Sequence, residues 1–257
     1  MVHMEINFYK YQGTGNDFVM VDNRSLQWSP TSEEVIRICH RKFGVGADGL
    51  ILIQSHDQYD FEMIYFNSDG SKSLCGNGSR CAIHFASKLG IVKDKTVFLT
   101  TDGVHEGEVL GEAVRFQLFD VESVQQNEHN FFVDTGSPHY VEFTEDVNKV
   151  DVVEQGQSIR YDEQFAPSGT NVNFVQIKEG EIFVRTYERG VEDETLSCGT
   201  GVTASAIAVA YKGLKSPVSI ETLGGKLQVD FVRVGDHFRN IYLTGPATPV
   251  YQGTINL

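Results

Sequence analysis

The pattern of hydrophobic and polar positions along this 257-residue chain predicts many short strands and a few helices. The strand-like runs are apolar and are bounded by glycine, asparagine and serine, which is typical of strands separated by turns. They lie at 50–54, 61–66, 97–103, 114–119, 141–144, 182–187, 218–224 and 241–244. The segment from Thr31 to Arg41 opens with Thr-Ser-Glu-Glu, which has the form of a capping box and predicts a helix.

Two further helical segments are related by an internal repeat. Cys-Gly-Asn-Gly begins at Cys75 and Cys-Gly-Thr-Gly begins at Cys198. Each motif leads into a largely apolar segment that reaches a glycine fifteen residues after the cysteine, at Gly90 and Gly213, and a strand-like run follows. Glycine favours the left-handed conformation that often ends a helix. We therefore expect one helix after each cysteine, ending near that glycine.

The similarity between the halves continues upstream of the cysteines. Gly15-Asn16-Asp17-Phe18-Val19 resembles Asn171-Val172-Asn173-Phe174-Val175, since each has an asparagine leading into an apolar strand after a glycine-containing turn. The sequence thus predicts a duplicated α+β chain of two similar domains, each with many short strands and one central helix. We place the N-terminal half at 1–122 plus 248–257 and the C-terminal half at 123–247.

Composition and charge narrow the classes of function. The chain is 40% hydrophobic and has only 6 prolines, as expected of a folded globular protein. It has 35 acidic and 21 basic residues, a net charge of −14, which disfavours binding to nucleic acid or to an anionic membrane. The sequence does not open with a basic segment followed by an apolar one, as a signal peptide would, and it has no apolar run long enough to span a bilayer. We therefore expect a cytoplasmic protein with a small-molecule substrate.

The four cysteines differ in the surroundings that the pattern predicts for them. Cys39 and Cys81 lie within helical patterns and are interpreted as packing residues. Cys75 and Cys198 precede a Gly-x-Gly at a helix start, where the helix dipole can lower a thiol pKa from about 8.5 to roughly 3.5–7.5. One such cysteine alone would more often be a small buried hydrophobe, but its repetition favours a functional pair. The sequence has no Cys-x-x-Cys, so we expect no structural zinc.

Two equivalent thiols in a duplicated chain are expected to meet across the domain interface, where ligand clefts tend to lie. Such a pair suits a nearly symmetric reaction, of which inversion at a carbon with an acidic proton is one: a thiolate removes the proton and a thiol returns another on the opposite face. Backbone N–H groups at the same helix starts can bind the substrate carboxylate. Neither a dinucleotide-binding Gly-x-Gly-x-x-Gly nor a Walker loop occurs, so we expect chemistry without a cofactor.

Several motifs occur in chain order between Lys10 and Pro246. They are Gly13-Thr14-Gly15-Asn16-Asp17-Phe18, Asn67-Ser68-Asp69-Gly70-Ser71, Cys75-Gly76-Asn77-Gly78-Ser79-Arg80, Glu188-Arg189-Gly190 and Cys198-Gly199-Thr200-Gly201. Together these motifs resemble the diaminopimelate epimerase family. The resemblance implies two domains, each a β-barrel-like sheet around a central α-helix. It also implies a homodimeric cytoplasmic enzyme of lysine and peptidoglycan precursor synthesis that interconverts LL- and meso-2,6-diaminopimelate.

The resemblance also implies roles for individual residues. Cys75 and Cys198 match the proton donor and acceptor, which exchange roles with the direction of the reaction. His139 and Glu188 match residues that tune the thiols. The residues that match substrate-binding positions are Asn16, Asn67, Gly76, Asn77, Asn171, Glu188, Arg189, Gly199 and Thr200. Ser137 departs from the family pattern, since many members have asparagine before Pro-His.

Other interpretations remain open at this stage. Proline racemases and hydroxyproline epimerases have the same fold and also use two thiols, but they usually have histidine where Asn77 stands. A phenazine-type isomerase of this fold lacks the cysteine pair. From other classes, Cys75 and Cys198 would form a reversible disulfide in a thiol redox protein, and a module that only binds small anions would keep its affinity without either thiol.

Overall fold

The computed structural model describes residues 4–257 and divides the chain into two compact units. The N-terminal unit ends at Phe116 and resumes at Gly245–Leu257, and the C-terminal unit is Gln117–Thr244. Our sequence boundaries, 122/123 and 247/248, lie a few residues after both of these. Within residues 4–257, none of the helices has the length and apolarity needed to cross a membrane.

Residues 4–257 form seventeen strands, four α-helices and two short 3-10 helices. The helices are α1 (Ser32–Cys39), α2 (Gly76–Lys88), α3 (Val152–Arg160) and α4 (Gly199–Ala210). The strands are β1 (Glu5–Gly13), β2 (Asn16–Asp22), β3 (Gly49–Gln54), β4 (Phe61–Asn67), β5 (Lys95–Thr100), β6 (Gly103–Leu110), β7 (Ala113–Gln117), β8 (Val124–Gln126), β9 (Asn130–Asp134), β10 (Pro138–Phe143), β11 (Asn171–Lys178), β12 (Glu181–Glu188), β13 (Asp193–Thr195), β14 (Val218–Thr222), β15 (Gly225–Val234), β16 (His237–Pro246) and β17 (Thr248–Asn256).

The N-terminal unit is one sheet around a buried helix. Its strands are hydrogen-bonded in the order β17, β1, β2, β3, β4, β5, β6, β7. The pairs β2/β3 and β4/β5 are parallel and the others are antiparallel. Helix α2 packs against β1, β2, β3, β4 and β6 and is buried from Gly76 to Ala86. The sheet therefore surrounds the helix that begins after Cys75.

The C-terminal unit repeats this arrangement. Its strands pair in the order β8, β9, β10, β11, β12, β14, β15, β16, with β10/β11 and β12/β14 parallel. Helix α4 packs against β9, β10, β11, β12, β14 and β15. Parallel and antiparallel neighbours thus alternate in the same sequence in both units. This confirms the predicted α+β fold, in which each of two similar domains wraps a barrel-like sheet around a central helix.

The helices that the pattern predicts are all present. Thr31 caps α1 with the reciprocal bonds of a capping box, and α1 is slightly shorter than the predicted segment. Gly90, with φ of 73°, directly follows Leu89, the C-cap residue of α2, as expected. Helix α3 was not predicted, because only Val152 and Gly156 of its residues are buried and its apolar periodicity is weak.

Two of the predicted strands are too long. The runs 97–103 and 218–224 each contain a strand end and a tight turn, since Thr100 pairs with Gly103 and Thr222 pairs with Gly225 across the turn. Each run therefore supplies the end of one strand and leads into the next. The error is the same in both halves, which is a further consequence of the duplication.

The predicted match between Asn16 and Asn171 is wrong. In the parallel pair β2/β3, Phe18 lies opposite Gly49, and in the equivalent pair β10/β11, His139 lies opposite Asn171. Asn171 therefore corresponds to Gly49, one strand further along than Asn16. Sequence similarity selected the wrong strand because a polar turn leading into an apolar strand occurs twice in succession in each half.

Candidate active site

Cys75 occupies the N-cap of α2 and is half-buried. Its Sγ accepts a hydrogen bond from the Gly78 backbone N–H, at 3.4 Å. Its S–H donates to Asn16 Oδ1 at the start of β2, at 3.3 Å. Gly76 and Asn77 follow in the first helical turn and are buried. The structure thus brings four of the predicted site residues of the N-terminal unit together.

A chain of hydrogen-bonded polar side chains extends in two directions from Asn16. Asn77 Nδ2 donates to Asn16 Oδ1 at 3.4 Å, and Asn77 Oδ1 accepts from Arg80 Nη2 at 2.9 Å. On the other side, Asn16 Nδ2 donates to Asp48 Oδ2 at 2.7 Å. Sequence reasoning missed Asp48 and left Arg80 out of the site, because single charged residues near glycines carry no distinctive spacing.

Asn67, the last residue of β4, lies in the turn that precedes α2. Its Nδ2 donates to the Ser71 backbone oxygen at 3.3 Å and to Ser71 Oγ at 2.9 Å, and its Oδ1 accepts from Ser73 Oγ at 3.2 Å. These bonds hold the segment that leads into Cys75. In the described structure Asn67 therefore organises the turn.

Cys198 occupies the N-cap of α4 and is buried. Its Sγ lies 3.5 Å from Thr200 Oγ1, and the same hydroxyl lies 2.9 Å from His139 Nε2. The backbone oxygen of Thr200 accepts from Thr135 Oγ1 at 3.0 Å, which fixes the first turn of the helix. The predicted residues Cys198, Thr200 and His139 are thus in direct contact.

The tautomer of His139 follows from its neighbour Asn173. Asn173 Nδ2 lies 3.0 Å from the backbone oxygen of Tyr140, which can only accept, and Asn173 Oδ1 accepts from Thr186 Oγ1 at 3.0 Å. The Asn173 NH₂ group therefore also faces His139 Nδ1, at 3.1 Å, and donates to it. With Nδ1 as an acceptor, the neutral ring carries its proton on Nε2.

The direction of the hydrogen bond between His139 and Thr200 is then set. His139 Nε2–H donates to Thr200 Oγ1, which keeps its own hydrogen and lies 3.5 Å from Cys198 Sγ, within reach to donate to the sulfur. A donor aimed at sulfur favours the thiolate. The expectation that His139 tunes a thiol thus has a physical route through Thr200.

Sequence reasoning missed Asn173 and Thr186 as members of this chain. Asn171 and Asn173 are two residues apart in β11, so their side chains lie on the same face of the strand. That Asn-x-Asn spacing was the signal that could have identified Asn173.

We predict that His139 stays neutral and makes the protein less stable in acid. Burial, with a smaller contribution from the Arg189 charge, lowers the pKa of His139 to about 3. The unfolded chain binds this proton near pH 6.5. Below about pH 6.5 the unfolded state therefore holds more protons, and the free energy of unfolding should fall by up to about 1.4 kcal/mol per pH unit as the pH decreases towards 3.

Urea unfolding at pH 7, 6 and 5 should show this slope in the native protein and a slope smaller by about one proton in His139→Asn. His84, whose pKa burial also lowers, contributes equally to both proteins. A His139 ring signal that titrates near pH 6.5 in NMR spectra would contradict the prediction.

Arg189 and Asn171 form a second group in the C-terminal unit. Asn171 Oδ1 accepts from the Arg189 backbone N–H at 2.9 Å, and its Nδ2 donates to Ser137 Oγ and to the Pro138 backbone oxygen, both at 2.9 Å. The Arg189 guanidinium donates to Ser137 Oγ and to the Ser168 backbone oxygen, each at 3.4 Å. These partners are neutral, so the guanidinium can also bind a carboxylate.

Glu188 ends β12, one residue before Arg189. Its Oε2 accepts from Thr195 Oγ1 at 2.9 Å. The structure therefore places this carboxylate between strands β12 and β13, which are paired at Thr186 and Thr195. This contact orients Glu188 at the C-terminal end of its strand.

The two units carry different chemistry at equivalent positions. In the N-terminal unit the side chains that face the first turn of α2 at Gly78 are Ile51 and Phe18. In the C-terminal unit the side chains that face the first turn of α4 are Asn173 and His139. The strand registers make these residues equivalent pairs. The backbone is duplicated, but the chain of hydrogen bonds from Asn173 through His139 and Thr200 to Cys198 belongs to the C-terminal unit.

Comparison with known proteins decides the family. The family model for diaminopimelate epimerase matches residues 8–120 and 131–250. A diaminopimelate epimerase of Flavobacterium psychrophilum is 46% identical over 257 aligned residues, covering 97% of this chain and all of the relative. The chain belongs to the diaminopimelate epimerase family. A second member, from Aquifex aeolicus, is 45% identical and covers 98% of each chain.

Solved structures outside this family share the fold. A phenazine biosynthesis protein of the PhzF family from Bacillus anthracis superposes with a TM-score of 0.78 at 15% identity, covering 98% of this chain and 99% of the other. A hydroxyproline epimerase from Agrobacterium vitis gives 0.73 at 14% identity, covering 100% and 93%. At these identities the likeness concerns the fold, whereas the sequence relatives confirm the epimerase family that the motifs indicated.

Proposed function

We propose that the protein is a cofactor-independent epimerase that interconverts LL- and meso-2,6-diaminopimelate. The observation that carries this proposal is the pair of thiols at the N-caps of α2 and α4, Cys75 and Cys198, in a chain of the diaminopimelate epimerase family. Both proton transfers of an inversion can then be made by side chains of the protein.

In the proposed reaction one sulfur, as thiolate, takes the α-proton, so that the C–H bond breaks and an S–H bond forms. The electron pair left on carbon is delocalised into the carboxylate. The other thiol then gives its proton to the opposite face of the carbon, and its sulfur becomes the thiolate. The reverse reaction exchanges the two roles, so inversion in both directions requires both sulfurs.

The substrate carboxylate next to the reacting carbon is assigned to backbone N–H groups of the first helical turns, at Gly76 with Asn77 and at Gly199 with Thr200. Such groups are unpaired within a helix and stabilise an anion there, most strongly where negative charge develops during reaction.

Diaminopimelate also has a distal amino-acid end, and the remaining predicted residues are assigned to binding the substrate. Arg189 suits a carboxylate, since its partners are neutral oxygens. Glu188 suits an ammonium group. Side-chain amides can bind either polar end, and this role is assigned to Asn16, Asn67 and Asn171.

We further propose that the enzyme works in the cytoplasm as a homodimer. Strand β17 pairs with β1 and exposes Val250 and Tyr251, so apolar side chains are available for contact with a second copy. Size-exclusion chromatography with light scattering should give twice the chain mass of 28.6 kDa. A mass of one chain at micromolar concentration would contradict the dimer.

The reaction itself is tested by proton NMR of the reduced protein with LL-diaminopimelate in heavy water. We expect meso product with deuterium at one α-carbon, at a rate that added pyridoxal phosphate or divalent metal does not change. L-proline in a parallel sample is the matched control. Exchange with proline but not with diaminopimelate would assign the protein to proline racemisation, and exchange with neither would overturn the epimerase.

A further inference from the structure

Asp48 lies one residue before β3 and is separated from the Cys75 thiol by a single side chain, Asn16. Its Oδ2 accepts from Asn16 Nδ2 at 2.7 Å and from the Asp17 backbone N–H at 3.1 Å. We propose that Asp48 is a positioning residue that fixes the Asn16 amide with its oxygen towards Cys75 and so holds the proton on that thiol. This role rests on the proposed function, in which Cys75 exchanges a proton with substrate.

The orientation of the Asn16 amide follows from the charge of Asp48. A carboxylate can only accept hydrogen bonds, so the NH₂ group of Asn16 must be the end that faces it. The reversed amide would place two oxygen acceptors 2.7 Å apart. With the NH₂ group towards Asp48, Oδ1 points the other way and lies 3.3 Å from Cys75 Sγ.

The other end of the polar chain favours the same orientation. A guanidinium can only donate, and Arg80 Nη2 lies 2.9 Å from Asn77 Oδ1. The NH₂ group of Asn77 is therefore the end that faces away from Arg80, and it lies 3.4 Å from Asn16 Oδ1. Arg80 is fully buried, and its Nη2 also donates to Thr14 Oγ1 at 3.4 Å. Arg80 and Asp48 thus favour the same end of Asn16 towards the sulfur. The 3.4 Å contact from Asn77 is much weaker than the charge-assisted 2.7 Å bond to Asp48, so the carboxylate decides the orientation.

The consequence concerns the proton on sulfur. An amide oxygen near Sγ accepts from S–H and favours the neutral thiol, whereas an amide NH₂ in the same place would donate to sulfur and favour the thiolate. Asparagine in place of Asp48 can donate or accept, so Asp48→Asn permits the reversed Asn16 amide. Asp48 thereby controls Cys75 without touching it.

Removal of a negative charge could act on Cys75 by itself, and the neighbourhood supplies a control for that effect. Asp48 Oδ1 binds Arg41 Nη2 at 2.7 Å, and Asp17 binds the same guanidinium at 2.7 Å and Lys10 Nζ at 2.5 Å. Asp17→Asn therefore removes the same charge from the same cluster while the carboxylate of Asp48 still holds Asn16. On α2, the titratable groups beside Cys75 are Arg80 and Cys81, which both variants retain.

The experiment measures the alkylation of Cys75 by iodoacetamide between pH 6 and 10, followed by peptide mass mapping, in a Cys198→Ala background. Cys39 and Cys81 are buried, which raises the pKa of each to about 12, so they react slowly. In Asp48→Asn we expect the pH midpoint of Cys75 alkylation to fall by about one pH unit and the rate at pH 7 to rise about tenfold. Asp17→Asn should change that rate by less than about threefold, as expected for a screened charge.

Asp48→Glu keeps an acceptor and should restore the parent profile, and Asp48→Ala should move it in the same direction as Asp48→Asn. Circular dichroism confirms that each variant is folded, and the side chain of Asp48 is 43% exposed, so the site tolerates substitution. An unchanged profile in both Asp48→Asn and Asp48→Ala, or an equal shift in Asp17→Asn, would overturn the proposal.

Alkylation requires no substrate, so the two proposals fail separately. The expected shift in a protein that does not epimerise diaminopimelate would overturn the proposed function and support the role of Asp48. An active epimerase whose Cys75 profile is insensitive to Asp48 would overturn the role of Asp48 alone.

Discussion

Replacing either Cys75 or Cys198 by alanine should abolish epimerisation, with kcat reduced by at least about 10³-fold. A positioned acid or base commonly contributes 10²–10⁴ to a rate, and each sulfur acts once in every turnover of the proposed reaction. The heavy-water NMR assay measures the loss directly, as the disappearance of meso product from LL-diaminopimelate. Either alanine variant turning over at a near-native rate would eliminate the two-thiol mechanism.

Cys39→Ala is the matched control for this experiment. Cys39 is a buried residue at the end of α1 and belongs to a hydrophobic cluster with Val35 and Ile38. Its replacement leaves a small cavity and should lower the free energy of unfolding by about 1 kcal/mol without changing kcat. A loss of activity in Cys39→Ala equal to that in Cys75→Ala would show that the effect arises from destabilisation.

The second large effect is expected for Gly201→Ala in the first turn of α4. A methyl group at Gly201 would lie 2.3 Å from Asn173 Oδ1 and 3.3 Å from His139 Cε1. Asn173 is buried in β11 and cannot move away without losing its bonds to Thr186 and Tyr140. Because a buried polar group left unpaired costs about 1–3 kcal/mol, we expect the free energy of unfolding to fall by at least about 2 kcal/mol.

The same substitution should lower epimerase activity at least about tenfold, since it disturbs the chain of hydrogen bonds that ends at Cys198. Urea unfolding and the NMR assay measure the two effects. Retention of native activity in Gly201→Ala would show that catalysis does not require these hydrogen bonds.

Gly78→Ala, at the equivalent position of α2, is the matched variant. There the new methyl group would lie 3.0 Å from Ile51 Cδ1 and 3.5 Å from Phe18 Cε1, which are apolar atoms at the ends of side chains. The helix propensity of alanine favours the change by about 1 kcal/mol, so the free energy of unfolding should change by less than about 1 kcal/mol. A large loss of unfolding free energy in Gly78→Ala and none in Gly201→Ala would contradict our description of polar surroundings at Gly201 and apolar surroundings at Gly78.

The sequence predicted the parts of the fold that repeat. The Cys-Gly-x-Gly motifs at Cys75 and Cys198 stand at helix starts, and the segments that follow them are buried within both sheets. The predicted strands extend beyond the observed strand ends at Thr100 and Thr222, because an apolar run does not show where a turn begins.

The site was predictable where a residue carries a motif, and less so where it acts through a neighbour. Thr200 and His139 were identified, but the contact that joins them is a property of the paired strands and the helix start. Asp48 and Arg80 are 32 residues apart in the sequence. Only the structure shows that they lie at the two ends of one series of hydrogen-bonded side chains.

The unequal lining of the two helix starts has a consequence for how the halves can diverge. Phe18 and Ile51 are held by packing, and hydrophobic residues of similar volume can replace them at small cost. His139 and Asn173 are held by directional hydrogen bonds, so a change in one requires a compensating change in the other. Among natural relatives, Phe18 and Ile51 should be substituted independently of each other, whereas His139 and Asn173 should change only together. Substitutions at the first pair should therefore be more frequent than at the second.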